Sequence, residues 1–157
     1  MEWHEIYVSL ETAKLLKEAG FDCGCYAHWV ETDKSKETAI ALSPVPILYS
    51  GMHPLDVEGN YDIVIKNWNN EKNEFQFYYS APTLAVAQKW LREVKDYHCF
   101  IEYDGLHRTY QCRIDSYVHI YDIKHREWIN NYEEFSTYEE ALEAGIKKCL
   151  EIILEKR

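Results

Sequence analysis

The sequence has no apolar run near the roughly 18 to 20 residues that a membrane-spanning helix needs, so no membrane association is expected. It also lacks the basic start and continuous apolar stretch of an export signal. The opening MEWHEIYVSLETAK is acidic and amphipathic, which points to the cytoplasm. Proline is scarce, and three of the four prolines (Pro44, Pro46 and Pro54) fall within residues 31–60 together with Gly51 and Gly59. That stretch reads as a long loop of the kind that often carries function, with TAIAL (residues 38–42) able to form a short strand inside it. Basic residues are outnumbered 17 to 27, giving a net charge of −10 without any basic stripe, which disfavours direct binding to a nucleic-acid backbone. Residues 1–80 hold 13 acids against 6 bases, so the acidic bias lies mostly there and suits either solvent or a basic partner.

Motifs that would announce an enzyme are missing as well. The chain has no Walker phosphate loop, no dinucleotide glycine fingerprint, no G-x-S-x-G elbow and no helical His pair. The seven histidines are scattered. Asp96, His98 and Glu102 lie close in sequence, but acid–base work needs convergent geometry that a single strand does not supply. No catalytic residue and no cofactor are assigned.

Cysteine is present in a number that excludes a disulfide scaffold. Cys23, Cys25, Cys99, Cys112 and Cys149 are odd in number and widely spread, and read as reduced thiols. The stretch FDCGCYAHW places Cys23, Cys25 and His28 within six residues, which raises the question of a metal site. A structural zinc wants four tetrahedral ligands, and only three are offered here. On a strand, Cys23 and Cys25 share one face and His28 takes the other. The expectation is therefore buried thiols and no metal, with a chain that folds without one.

What remains describes a folded α+β protein. Apolar residues make up 46% of 157, enough to build a core in one domain spanning 1–157. Ser9 caps a helix over 10–19 that stops at Gly20, and residues 23–30 have strand composition. YDIVIKNW and EFQFYYS alternate and read as a hairpin. A helix follows over 83–95 with Leu84, Ala87, Leu91 and Val94 in its stripe, widened by Trp90. Cys99, Ile101 and Tyr103 alternate before the turn DGLH, and Tyr110, Cys112 and Ile114 after it, predicting an antiparallel pair. Further strands are expected in YVHIYDI and around Glu127 to Ile129. Thr137 and Glu140 form a capping box for a helix reaching Glu155, with Tyr138, Ala141, Leu142, Gly145, Ile146, Cys149 and Ile153 facing inward. The architecture expected is an antiparallel sheet with about three helices packed on it.

The runs YYSAPTLAVAQKWLREV, FSTYEEALEAGIKKCLEIIL and VSLETAKLLKEAGFD resemble small proteins without an assigned activity carried by bacteriophages and mobile elements of gut anaerobes. The resemblance covers about half of the chain and implies a genomic setting, with no residue roles to carry over.

Thirteen tyrosines and five tryptophans are the most distinctive component, since such rings bury large area and keep a polar tip for recognition. Trp68, Tyr78, Tyr117, Tyr121 and Tyr132 are the candidates for an exposed binding face. Ser80 and Thr83, beside the free N–H groups of a helix start, are candidates for holding an anion. The leading functional expectation is a non-enzymatic accessory protein that binds a protein partner through an aromatic, acidic surface. The alternatives are a binder or sponge of a nucleotide-like small molecule and, last, a metal-dependent hydrolase or nuclease using scattered His, Asp and Glu.

Overall fold

The computed structural model describes residues 7–33, 40–42, 47–48, 50–51, 62–63, 67–72, 74, 76–116 and 129–156. The class is α+β, with three α-helices and antiparallel strands among these residues, as the periodicities predict. The strands divide among separate sheets, and the contacts gather into two compact units, one within residues 9–82 and one within 83–156 joined by Tyr7 and Val8.

In the first unit, α1 (Leu10–Glu18) begins where Ser9 Oγ accepts the Thr12 amide at 3.2 Å. It ends at Gly20, whose φ of +89° places it in the left-handed region that glycine enters without strain. The Phe21 amide then donates back to Leu16 O at 2.9 Å, and Phe21, Leu16 and Ala13 are all buried. The centre of the sheet is β1 (Ala27–Asp33), which starts later than the composition of residues 23–30 suggests. Two short strands, β2 (Ile40–Leu42) and β3 (Ile47–Leu48), pair with its two ends. A separate small pair joins β4 (Ser50–Gly51) to β5 (Asp62–Ile63). The sixth strand, β6 (Gln76–Ala81), runs antiparallel to β1 along its length, with Trp29 opposite Tyr79 and Val30 opposite Tyr78.

This pairing corrects the predicted hairpin between YDIVIKNW and EFQFYYS. The chain between them forms a 3-10 turn at Trp68–Asn70 in place of a strand end. Trp68 turns its ring into the core and donates its indole N–H to Cys25 O at 2.8 Å. Asn69 fixes the turn from both sides: its Nδ2 donates to Phe21 O at 2.9 Å, and its Oδ1 accepts from Ser80 N at 2.9 Å. One amide side chain thus ties the end of α1 to β6. On the α1 side, buried Glu31 accepts from Lys14 Nζ at 2.7 Å and from the Tyr79 hydroxyl at 2.9 Å. Burial, reinforced by that carboxylate, pushes the Tyr79 phenol up to about 12.

In the second unit, Thr83 caps α2 (Leu84–Val94), its Oγ1 accepting from Val86 N at 3.3 Å. The buried stripe is Leu84, Ala87, Trp90 and Leu91, whereas Val94, predicted to extend it, is exposed as the helix ends. Asp96, at φ 58°, turns the chain into β7 (Tyr97–Asp104). With β8 (Thr109–Ser116) and β9 (Ile129–Phe135) it makes a three-stranded antiparallel sheet in the order β7-β8-β9. The strand predicted in YVHIYDI lies outside the described residues. The capping box opens α3 (Tyr138–Glu155): Thr137 Oγ1 accepts from Glu140 N, and Glu140 Oε2 accepts from Thr137 N, both at 3.2 Å. α3 buries Ala141, Leu142, Gly145, Ile146, Cys149, Leu150 and Ile152. Tyr138 and Ile153, predicted to face inward, are less covered, Tyr138 because it stands at the open end of the helix.

Candidate functional site

Strand alternation puts Tyr97, Cys99, Ile101 and Tyr103 on one face of β7, and the buried Cys99 shows that this face meets α3. Tyr103 lies at the last position before the turn on that face, directly opposite Tyr110 on β8, with ring centroids 5.1 Å apart. Tyr110 in turn pairs with Phe135 on β9 and meets the ring of Tyr138 edge-on at 6.2 Å. Because Tyr138 is the first residue of α3, the helix has no further turn with which to cover this end of the sheet. Tyr103 is left 58% exposed and Tyr138 43%, and Leu106 in the turn is 85% exposed. Half-buried Tyr110 therefore sits between two rings that face water.

The same end of the sheet is acidic. Asp104, Glu133 and Glu134 lie near the turn, against Arg108 within the turn, while Glu102 is paired with Arg113, whose Nε lies 3.0 Å from its Oε2. Asp104 organises the turn by accepting the Leu106 amide at 2.8 Å and the His107 amide at 3.3 Å on Oδ1, while its Oδ2 sits 2.7 Å from His107 Nδ1. The hydrogen bond from His107, helped by the turn amides, holds the Asp104 carboxyl below the usual range. The same bond, with the charges of Asp104 and Glu134, raises His107. The His107 contribution is complete below its ordinary pKa of about 6.5 and is lost as pH rises through the raised value. The Asp104 contribution is complete above about 3.9 and is lost as pH falls through the lowered value. The pair is thus at full strength between about pH 4 and 6.5. A nuclear magnetic resonance titration is expected to show His107 losing its proton at higher pH than a free histidine, and Asp104→Asn is expected to remove most of the difference. A His107 midpoint unchanged by that substitution would contradict the assigned contact.

Asp104, His107 and Glu134 form the one set among the described residues whose possible metal-ligating atoms all lie within 4.8 Å of one another. Asp104 and His107 stand at an open turn and exposed Glu134 on β9, and the oxygens of Asp104 are engaged by the turn and by His107, so the set reads as an ion pair with a neighbouring carboxylate.

The residues singled out from sequence lie elsewhere. Trp68 is buried and stacks on His28 at 3.8 Å, so it offers no surface. Tyr78 is half-buried in the same group, 5.7 Å from the His28 ring and 6.4 Å from that of Trp68. Tyr117 and Tyr121 lie outside the described residues, and Tyr132 falls on β9 with its side chain outside them. Ser80 is fully buried, and the Thr83 hydroxyl is engaged in capping α2, which leaves neither as an open anion ligand. Cys23, Cys25 and His28 do not converge: Cys25 is buried, with burial above all pushing its thiol up to about 12, and His28 is held in the stack on Trp68. His98 and Glu102 share the outer face of β7, but His98 stacks on Phe100 and Glu102 pairs with Arg113.

The tyrosines that do reach the surface carry a sequence signal. Tyr103 and Tyr110 flank the turn in phase with the buried Cys99 and Cys112, and Tyr138 follows directly on a capping residue. No protein family model matches this chain, and neither the curated proteins nor the solved structures compared with it gave a match.

Proposed function

We propose that the protein is a non-enzymatic accessory protein of a bacteriophage or mobile element that binds a basic protein partner at the turn end of the β7–β8 sheet. The observation that carries this reading is the pair of exposed rings, Tyr103 and Tyr138, bridged by half-buried Tyr110 at the end of the sheet that also carries Asp104, Glu133 and Glu134. Tyrosine rings held by packing lose little entropy on binding, and interface energy concentrates on such anchors. Carboxylates around them favour lysine- or arginine-bearing partners and speed their encounter. The contacts of Tyr110 with both neighbours fix the rings before a partner arrives, which lowers the cost of association.

The test is affinity capture from a host lysate with the natural chain and with a Tyr103→Ser, Tyr138→Ser double variant, followed by affinity measurement on what is captured. Both side chains are largely exposed, so the variant is expected to keep its melting temperature. Loss of two anchors worth about 2 kcal/mol each corresponds to roughly a 30-fold weakening per ring. A partner held equally well by both chains, or capture that repeatedly recovers nothing, would remove this proposal.

A further inference from the structure

We propose that Cys99 and Cys112 are a dithiol modification site that a hydroperoxide converts into a reversible cross-strand disulfide. The two sulfurs lie 3.1 Å apart on the face of the sheet turned toward α3, and both side chains are buried. Their strand positions explain why they meet. Cys99 stands opposite Ile114 and Cys112 opposite Ile101, so the pair is a diagonal of the β7–β8 ladder on a single face. Gln88 Nε2, donating to Cys99 O at 2.8 Å, anchors the backbone at this position. Gly145 of α3 packs directly over both sulfurs.

The packing selects the oxidant. Both sulfurs are buried under Gly145 of α3, so a bulky disulfide does not reach them, and a molecule as small as hydrogen peroxide enters when the contact of α3 with the sheet opens locally. The contact between the two sulfurs lowers Cys112 and raises Cys99, so Cys112 supplies the thiolate. That thiolate attacks one peroxide oxygen and the O–O bond breaks, giving a sulfenic acid and hydroxide, which takes up the proton that Cys112 released. The Cys99 sulfur then attacks the Cys112 sulfur; the S–S bond forms, the S–O bond breaks, and the hydroxyl leaves as water with the Cys99 proton. Two thiols are oxidised by two electrons and one peroxide is reduced to two waters. Diagonal neighbours in a sheet have Cα atoms about 7 to 8 Å apart, beyond the roughly 4.4 to 6.8 Å of unstrained disulfides. The bond therefore pulls Cys99 and Cys112 toward each other along the ladder, and the strain makes it easy to reduce.

The folded chain is treated with hydrogen peroxide, quenched, unfolded in iodoacetamide and mapped by peptide mass. Cys99 and Cys112 are expected to leave the alkylatable pool together, with the appearance of one linked peptide pair that dithiothreitol removes. Cys149→Ser is expected to form the same link, and oxidised glutathione is expected to leave Cys99 and Cys112 free. If Cys99 and Cys112 stay alkylatable, become separate sulfinic acids, or link to Cys149 instead, the proposal fails. The natural chain alone decides this, so the result stands even if a Cys99→Ser control does not fold.

Discussion

Gly145→Ala is expected to lower the stability of the protein by about 2 kcal/mol or more, although alanine is the better helix former. In an open helix the change would gain about 1 kcal/mol, because glycine loses more backbone freedom on ordering. Here the added methyl lands on Cys99 Sγ and Cys112 Sγ and also meets Cys112 Cβ at 3.4 Å. Those sulfurs are held against each other and cannot both retreat, so α3 must lift from the sheet or the strands must shift. Overpacking of this kind costs about 1 to 3 kcal/mol, and more where backbone has to move. A loss of 2 kcal/mol corresponds to roughly 4 to 8 °C in melting temperature for a chain of this size. The double variant Gly145→Ala, Cys112→Ala is expected to recover part of the loss, since removing one sulfur opens space for the methyl; such non-additivity marks direct contact. A single variant as stable as the natural chain would mean that α3 does not approach the sheet at Gly145.

The features that sequence patterning reached are those whose causes are local. Ser9, Thr83 and Thr137 cap their helices because a hydroxyl at the N-cap reaches an amide two or three residues on, which is visible in the sequence. The β7–β8 hairpin was likewise legible, because its two alternating runs are separated only by a short turn. The partner of β6 was not. Phe75, Phe77 and Tyr79 alternate, and alternation tells which side chains share a face without telling which strand lies alongside. The nearest alternating run in sequence belongs to Tyr61–Ile65, yet β6 pairs with β1, some 48 residues away at the Val30–Tyr78 pair. Trp68 and Asn69 decide the matter through contacts with Cys25, Phe21 and Ser80, none of them a neighbour in the chain. The same limit applies to the candidate site. Aromatic abundance suggested a binding face, but the point where α3 begins leaves Tyr103 and Tyr138 outside, and the turn at Trp68–Asn70 takes Trp68 into the core of its own unit. Cys99 and Cys112, 13 residues apart, match no spacing motif, and only the ladder register brings their sulfurs together.

Trp68→Ala is the substitution expected to cost most, about 3 to 5 kcal/mol, the usual range for removing a buried indole. The ring is 4% exposed, lies nearly parallel to His28 at 3.8 Å and leans toward Tyr78 at 6.4 Å, so its loss leaves a cavity between β1 and β6. His28 is itself buried, and without the indole face one of its main packing surfaces is gone. Trp68→Phe separates the two parts of this cost. A phenyl ring keeps most of the apolar contact with His28 but cannot donate to Cys25 O, leaving that buried carbonyl without the 2.8 Å bond, a penalty of about 1 to 3 kcal/mol. Urea unfolding is expected to rank the chains natural, then Trp68→Phe, then Trp68→Ala. Hydrogen exchange adds the location: amides of β1 and β6 are expected to lose protection in Trp68→Ala, because the turn carrying Trp68 also places Asn69 against Ser80 and Phe21. If Trp68→Ala stayed within about 1 kcal/mol of the natural chain, Trp68 would not be a core residue.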